Sequence, residues 1–139
     1  MARKIHITSS DRERLLKLIK EEREFGTAKQ KQNLNDLERE LERANIVKPQ
    51  KVPPEVITMN SKVMLKDLDT GEKMIYTLVY PEKADLLENK ISVLAPVGTA
   101  ILGFSKGDVI EWNIPAGSVR LSIEEILYQP ESAGESESL

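Results

Sequence analysis

The stretch that decides the fold reads Ile91-Ser92-Val93-Leu94-Ala95-Pro96-Val97-Gly98-Thr99-Ala100-Ile101-Leu102-Gly103. Its first four residues are typical of a short β-strand. Pro96 suits the first position of a helix, where the missing N–H would have no partner in any case. The apolar run behind it predicts a short helix through Leu102, and Gly107 predicts a turn into another strand. No side chain in this stretch can do acid–base or nucleophilic chemistry.

The C-terminal half has the two-residue period of β-strands. It predicts five strands, at residues 61–66, 74–80, 91–94, 108–114 and 118–128. Gly71 supplies the positive φ that a hairpin turn at 67–72 needs. The predicted fold class is therefore α+β, with one short helix packed across an antiparallel sheet.

The N-terminal part has a helical period instead. After an extended lead-in at 5–8, Ser10 and Glu13 predict a capping box at the start of a helix. The apolar positions of two helices follow at Leu15, Leu18, Ile19 and Phe25, and then at Leu34, Leu37, Leu41 and Ala44. This pattern predicts an antiparallel αα-hairpin, a short coiled coil, over residues 1–48. Because helix pairs this short are marginal in water, we expect the hairpin to lean on the following domain or to be mobile.

Three further segments complete the predicted organisation. Residues 49–55 contain three prolines, which predicts an extended linker. Residues 56–129 form the C-terminal domain. Residues 130–139 are rich in Ser, Glu and Gly, and we expect this tail to be disordered.

Charge and composition exclude several classes of function. The net charge is −3, but residues 1–48 carry +3 and residues 49–139 carry −6, which disfavours a general nucleic-acid binder. There is no cysteine and only one histidine, His6, so we predict no metal site, no cofactor and no catalytic residues. No apolar run is long enough to cross a membrane, and a cytoplasmic protein is expected.

Several motifs together resemble the C-terminal domain of the GreA/GreB transcript-cleavage factors. They are Leu78-Val79-Tyr80-Pro81, the stretch 91–98, Ala100-Ile101-Leu102-Gly103, Gly107-Asp108 and Pro115-Ala116-Gly117. The segments 56–61 and 128–134 are similar to the Rnk-type subgroup, whose members are named regulators of nucleoside diphosphate kinase. The resemblance covers about residues 55–134, while the hairpin matches in length and pattern only.

The resemblance implies an FKBP-like fold for the C-terminal domain and docking near the rim of the RNA polymerase secondary channel. The strand-to-helix corner that contributes to docking in the cleavage factors corresponds here to Leu94, Ala95, Pro96, Val97 and Gly98. Contact with nucleic acid would be indirect, through the polymerase.

The tip of the hairpin departs from the cleavage factors. They carry acidic residues there, which are thought to help hold a catalytic Mg²⁺, whereas residues 26–33 of this chain contain no carboxylate. The tip residues are Gly26, Thr27, Lys29 and Lys31. Since ammonium groups repel a divalent cation, we expect a regulator that occupies the channel entrance without stimulating RNA cleavage. Its hairpin arms are also shorter than those of the cleavage factors.

Other functions are left open by the residues. The protein could act on another target, such as nucleoside diphosphate kinase, although no surface in the sequence indicates it. A prolyl isomerase of the FKBP type rests on fold analogy alone. A monomer is favoured, although an exposed hairpin could pair with a second copy.

Overall fold

A computed structural model describes residues 5–25, 31–114 and 117–134 of the chain. In chain order these residues form β1 (His6–Ile7), α1 (Ser9–Phe25), α2 (Lys31–Glu42), β2 (Asn45–Ile46), β3 (Lys62–Asp67), β4 (Lys73–Val79), β5 (Lys90–Ser92), α3 (Pro96–Ile101), β6 (Val109–Ile114) and β7 (Gly117–Tyr128). Strands β3 to β7 and helix α3 lie within two residues of their predicted bounds. The α+β class is confirmed.

The five C-terminal strands form one sheet in the order β5-β4-β3-β7-β6. All neighbours are antiparallel except β4 and β5, which pair in parallel with Leu78 opposite Ile91. The prediction of a fully antiparallel sheet is therefore wrong at this edge. The connection at 80–89 folds through two 3-10 turns, Pro81–Lys83 and Leu86–Glu88, and brings the chain back before β5 begins.

Strand β7 departs from strict alternation, because three of its residues that pack in the core, Leu121, Ile123 and Ile126, are two and then three positions apart. The pairing of β3 with β7 shifts register at two places, between Lys62 and Val63 and between Met64 and Leu65. Each shift has the form of a β-bulge, which absorbs one extra residue in β7. Ile126 thereby stays opposite Val63 and packs against the core.

The hairpin forms as predicted, but its first helix begins earlier. Thr8 caps α1, because its Oγ1 accepts the Asp11 N–H at 3.3 Å and its carbonyl accepts the Arg12 N–H at 3.0 Å. The predicted capping box of Ser10 and Glu13 is wrong. The helix starts two residues further upstream because Thr8 follows β1 directly and can itself cap the chain.

The leucine seam of the hairpin is confirmed. Leu15 and Ile19 of α1 are buried, and so are the α2 residues Leu34, Leu37 and Leu41. At the outer end of the hairpin, the Arg23 guanidinium donates to both carboxylate oxygens of Glu38, at 3.0 and 2.8 Å. This hydrogen bonding lowers the pKa of Glu38.

The base of the hairpin is closed by backbone pairing that the sequence did not predict. Strands β1 and β2 pair in parallel, with the Asn45 N–H donating to the Ile5 carbonyl at 2.7 Å and the Val47 N–H to the Ile7 carbonyl at 2.9 Å. The chain entering α1 is thus tied to the chain leaving α2.

The hairpin packs on the sheet domain, as one of the two expected arrangements. Its buried leucines belong to the same apolar cluster as Ile57, Leu65 and Ile123 of the sheet domain. The closest approach is at Gly103, which has φ +87° and lies against the backbone and side chain of Ile5. Only glycine fits there without strain, because a Cβ would lie 2.5 Å from Cγ1 of Ile5.

The segments at the two ends of the C-terminal domain are more ordered than expected. Residues 49–51 form a 3-10 turn and Val52 is 5% exposed, so 49–55 is not a simple extended linker. The prediction of disorder from residue 130 is wrong for 130–134, which form turns with Pro130 and Glu131 buried. Residues 135–139 lie outside the described part of the chain.

Substitution of Gly103 tests the contact between hairpin and sheet. We expect Gly103→Ala to lower the free energy of unfolding by about 2–4 kcal/mol, because it adds left-handed strain and a clash with Ile5. The control is Gly71→Ala, at φ +77° with nothing within 4 Å, which should cost only about 1 kcal/mol. Urea unfolding measures both, and equal losses would contradict the close contact.

Candidate functional site

The strand-to-helix corner predicted to dock on a partner is a tightly bonded turn. The Leu94 N–H donates to Oγ of Ser92 and the Ala95 N–H to the Ser92 carbonyl, both at 3.0 Å. Ala95 is the N-cap of α3 but has no side-chain cap. Thr99 fixes the turn from the helix side, because its hydroxyl donates to the Val93 carbonyl at 2.7 Å. These three hydrogen bonds fix the backbone conformation of the corner.

The five predicted docking residues are not equally available at the surface. Leu94 is 9% exposed and belongs to the core, and Gly98 is buried because a Cβ there would overlap the Ser92 carbonyl oxygen. These two of the five predicted docking residues therefore present almost no surface to a partner. Ala95 and Val97 are half-buried, and the Pro96 side chain is outside the described part of the structure. Among the described side chains of the corner, only those of Ala95 and Val97 are half-exposed.

The predicted tip of the hairpin lies largely outside the described residues. Gly26, Thr27 and Lys29 fall in the undescribed range 26–30. Lys31 is the first residue of α2, and its side chain is not described. The proposed role of the tip therefore rests on its sequence.

The junction between hairpin and sheet holds a polar cluster that the sequence did not predict. The Tyr80 hydroxyl donates to Oδ1 of Asp11 at 2.9 Å, and the Arg14 guanidinium lies 3.9 Å above the Tyr80 ring. Arg14 also contacts Glu82 at 3.6 Å. These contacts join α1 to the end of β4 and fix the angle at which the hairpin leaves the domain.

A cleft of about 210 Å³ opens beside this cluster. It is lined by Arg14, Lys17, Leu18, Glu21, Tyr80 and Glu82. Two cations and two carboxylates share this lining, so the cleft does not select a charged ligand of either sign.

A second unpredicted cluster fastens the end of the chain to the start of the sheet domain. Gln129 donates from Nε2 to the carbonyls of Pro53 and Val56, at 2.8 and 2.6 Å. The Thr58 hydroxyl donates to Oε1 of Glu131 at 2.7 Å and also meets the Ser61 hydroxyl at 3.0 Å. The sequence signal for this cluster is the stretch 128–134, which resembles the Rnk-type subgroup.

Burial raises the pKa of the Glu131 carboxyl, which is 7% exposed as a residue. The hydrogen bond from Thr58 opposes this shift, and the negative charge of Asp11 adds to it.

Within the described ranges, no three His, Asp or Glu side chains converge where they could hold a metal ion. None of the helices described there combines the length and apolar content that crossing a membrane requires.

Removal of the Tyr80 hydroxyl tests the junction. We expect Tyr80→Phe to lower the free energy of unfolding by about 1–2 kcal/mol, because the Asp11 carboxylate loses a charge-assisted hydrogen bond while the ring remains. The matched control is Tyr76→Phe, because among the described residues the Tyr76 hydroxyl contacts only the Met74 sulfur, at 3.7 Å. If urea unfolding shows the same loss for both variants, the Tyr80–Asp11 bond does not stabilise the junction.

Glu131 should make stability depend on pH. Its pKa is higher in the folded than in the unfolded chain, so its favourable contribution is complete below the unfolded pKa and is lost as the pH rises through the folded pKa. We therefore expect Glu131→Gln to match the wild type in acid and to exceed it in stability at neutral pH. Thermal unfolding across pH measures this, with the exposed Glu72→Gln as control. A difference that does not change with pH would contradict this assignment.

Comparison with known proteins assigns both halves of the chain. Residues 52–128 match the family described as transcription elongation factor GreA/GreB, C-terminal, and residues 3–47 match the Rnk N-terminus. Similar relatives include the regulator of nucleoside diphosphate kinase of Escherichia coli K12, 45% identical over 71% of this chain and 74% of the relative. The transcription elongation factor GreA of Bartonella henselae is 32% identical over 85% of this chain and 84% of that protein.

A solved structure agrees with this assignment. The prokaryotic transcription elongation factor GreA/GreB from Nitrosomonas europaea is 44% identical and superposes with a TM-score of 0.76, covering 90% of this chain and all of that one. The chain therefore belongs to the GreA/GreB family of transcription elongation factors and, by its N-terminus, to the Rnk-type regulators within it.

Proposed function

We propose that this protein is a non-catalytic regulator that binds RNA polymerase near the secondary channel and competes there with transcript-cleavage factors. Membership in a family of transcription elongation factors supports this proposal. Residues 1–48 would supply the hairpin and residues 56–129 the anchoring domain. Such a protein works in the cytoplasm, as a monomer, and touches nucleic acid only through the polymerase.

The composition of the hairpin tip is the observation that supports a role without cleavage activity. Residues 26–33 contain two lysines and no Asp or Glu, so the tip has no carboxylate that could hold a divalent cation. The arms are also short, since α1 has 17 residues and spans about 26 Å. A short basic tip suits occupation of the channel entrance better than delivery of a metal ion.

The anchoring surface proposed is the corner at 94–98, with Ala95 and Val97 as its half-exposed members. The hydrogen bonds of Ser92 and Thr99 hold this corner rigid. A preformed corner loses little conformational entropy when it binds.

A substitution at Ala95 tests this surface without disturbing the fold. Ala95 is the uncapped N-cap of α3, so both Asp and Ser should cap the helix and leave stability intact or improved. We expect Ala95→Asp to weaken binding to core RNA polymerase about tenfold, because the interface must desolvate a new charge, and Ala95→Ser to bind like the wild type.

Binding is measured by competition with a GreA-type factor. Saturable binding that the competitor displaces, with the expected order of variants, agrees with the proposal. Equal binding of all three proteins would move the docking surface elsewhere, and absence of binding would overturn the proposal. RNA cleavage by a stalled polymerase should not rise when the protein is added, and a rise would refute a non-catalytic role.

A second candidate target is nucleoside diphosphate kinase. It is favoured by the name of the Escherichia coli relative, a regulator of that kinase. Binding of the protein to the purified kinase, with no binding to polymerase, would favour this alternative.

A further inference from the structure

One face of the sheet carries a cluster of lysines. Strands β3 and β4 place Lys62, Lys66 and Lys73 on the same face, with Lys66 directly opposite Lys73. Side chains alternate along a strand, and the intervening residues Val63 and Leu65 are buried in the apolar core to which the hairpin leucines also belong. The lysines therefore point away from the hairpin, on what we call the open face.

These lysines differ from other cations of the same domain in their ion-pair contacts. In the same domain, Lys90, Lys106 and Arg120 each contact a carboxylate, Glu88, Glu125 and Asp69 respectively. No ion pair joins Lys62, Lys66 or Lys73 to any residue that the structure describes. Like charges directly opposite each other on neighbouring strands destabilise a sheet, so the Lys66–Lys73 pair opposes folding.

Two apolar side chains lie between the lysines. Met64 is directly opposite Ile75, which is 38% exposed, and this pair separates Lys62 from the Lys66–Lys73 pair. Glu125 lies opposite Met64 on β7, but its carboxylate already contacts Lys106 at 3.6 Å. The open face thus presents an apolar centre with positive charge at both ends.

We propose that the open face of β3 and β4 is a docking site for an extended acidic polypeptide segment that carries an apolar side chain between two acidic ones. Lys62 and Lys66 are four residues apart on one strand, about 13 Å, which matches the first and fifth residues of an extended peptide. The residue midway between these two meets Met64 and Ile75. A nucleic-acid backbone has no apolar group that could cover Met64 and Ile75, so it would leave this apolar pair in water.

This site does not depend on polymerase binding. The corner at 94–98 follows β5, at the edge of the sheet, and the apolar core that contains the hairpin leucines lies on the opposite face. The open face can therefore receive a second protein while the hairpin and the corner are engaged.

The test uses the full-length protein and a short capped peptide with leucine midway between two glutamates, each two residues away, and serine elsewhere. We expect saturable NMR shifts confined to the amides of residues 62–66 and 73–77. A peptide with serine in place of the leucine, and an oligonucleotide of equal charge, should bind clearly more weakly. The proposal would be overturned if the serine peptide or the oligonucleotide bound as tightly as the leucine peptide, or if the leucine peptide did not bind.

The informative variant is Lys73→Glu. It removes a cation from the site and replaces a like-charge pair with an attractive one, so it should weaken peptide binding about tenfold while raising the melting temperature by about 1–4 °C. The control Lys83→Glu makes the same charge change at an exposed position outside this face and should bind as the wild type does. Unchanged binding in Lys73→Glu, or an equal loss in Lys83→Glu, would overturn the assignment.

Discussion

The contact between Gly103 and Ile5 is the constraint on which the rest of the structure depends. Ile5 lies just before the hairpin and Gly103 just after α3. The contact brings these two segments together and leaves no room for a side chain on residue 103. Backbone bonds continue this contact on the sheet side, where the Gly103 N–H donates to the Ile57 carbonyl at 3.0 Å. On the hairpin side, Ile5 accepts the Asn45 N–H and closes the base of the two helices. A single apolar core results, and it includes residues of the hairpin and of the sheet.

This shared core explains how so short a hairpin is stable. Two helices of 17 and 12 residues are marginal by themselves in water, and most of their stability must come from packing. Burial of Leu15, Ile19 and Leu37 in the apolar cluster that the hairpin shares with the sheet domain supplies it. The Tyr80–Asp11 bond and the Arg14 guanidinium above the Tyr80 ring then restrict the direction of the hairpin. The hairpin and the corner at 94–98 are therefore joined through one apolar core.

Much of the fold could be predicted from local patterns. The leucine seam, the strands and the proline-started α3 follow from periodicity and from the special backbones of Gly71 and Pro96. The errors came from features that depend on distant residues. The parallel pairing of β5 requires the return path of residues 80–89, and the burial of Leu94 requires the core beneath it. The composition around Glu131 predicts disorder. It cannot show that this carboxylate accepts a hydrogen bond from Thr58, which is 73 residues earlier in the chain. The corner could be located from sequence, but which of its side chains reach the surface could not.

Native-state hydrogen exchange on the full-length protein tests the shared core most directly. If hairpin and sheet form one unit, the slowest amides of α1 around Leu15 and Ile19 should exchange with the same opening free energy as those of β3 and β7. Both sets should also respond equally to low concentrations of denaturant. Exchange of the hairpin amides at a clearly lower opening free energy, with the sheet still protected, would contradict the account, because the hairpin would then open independently of the domain.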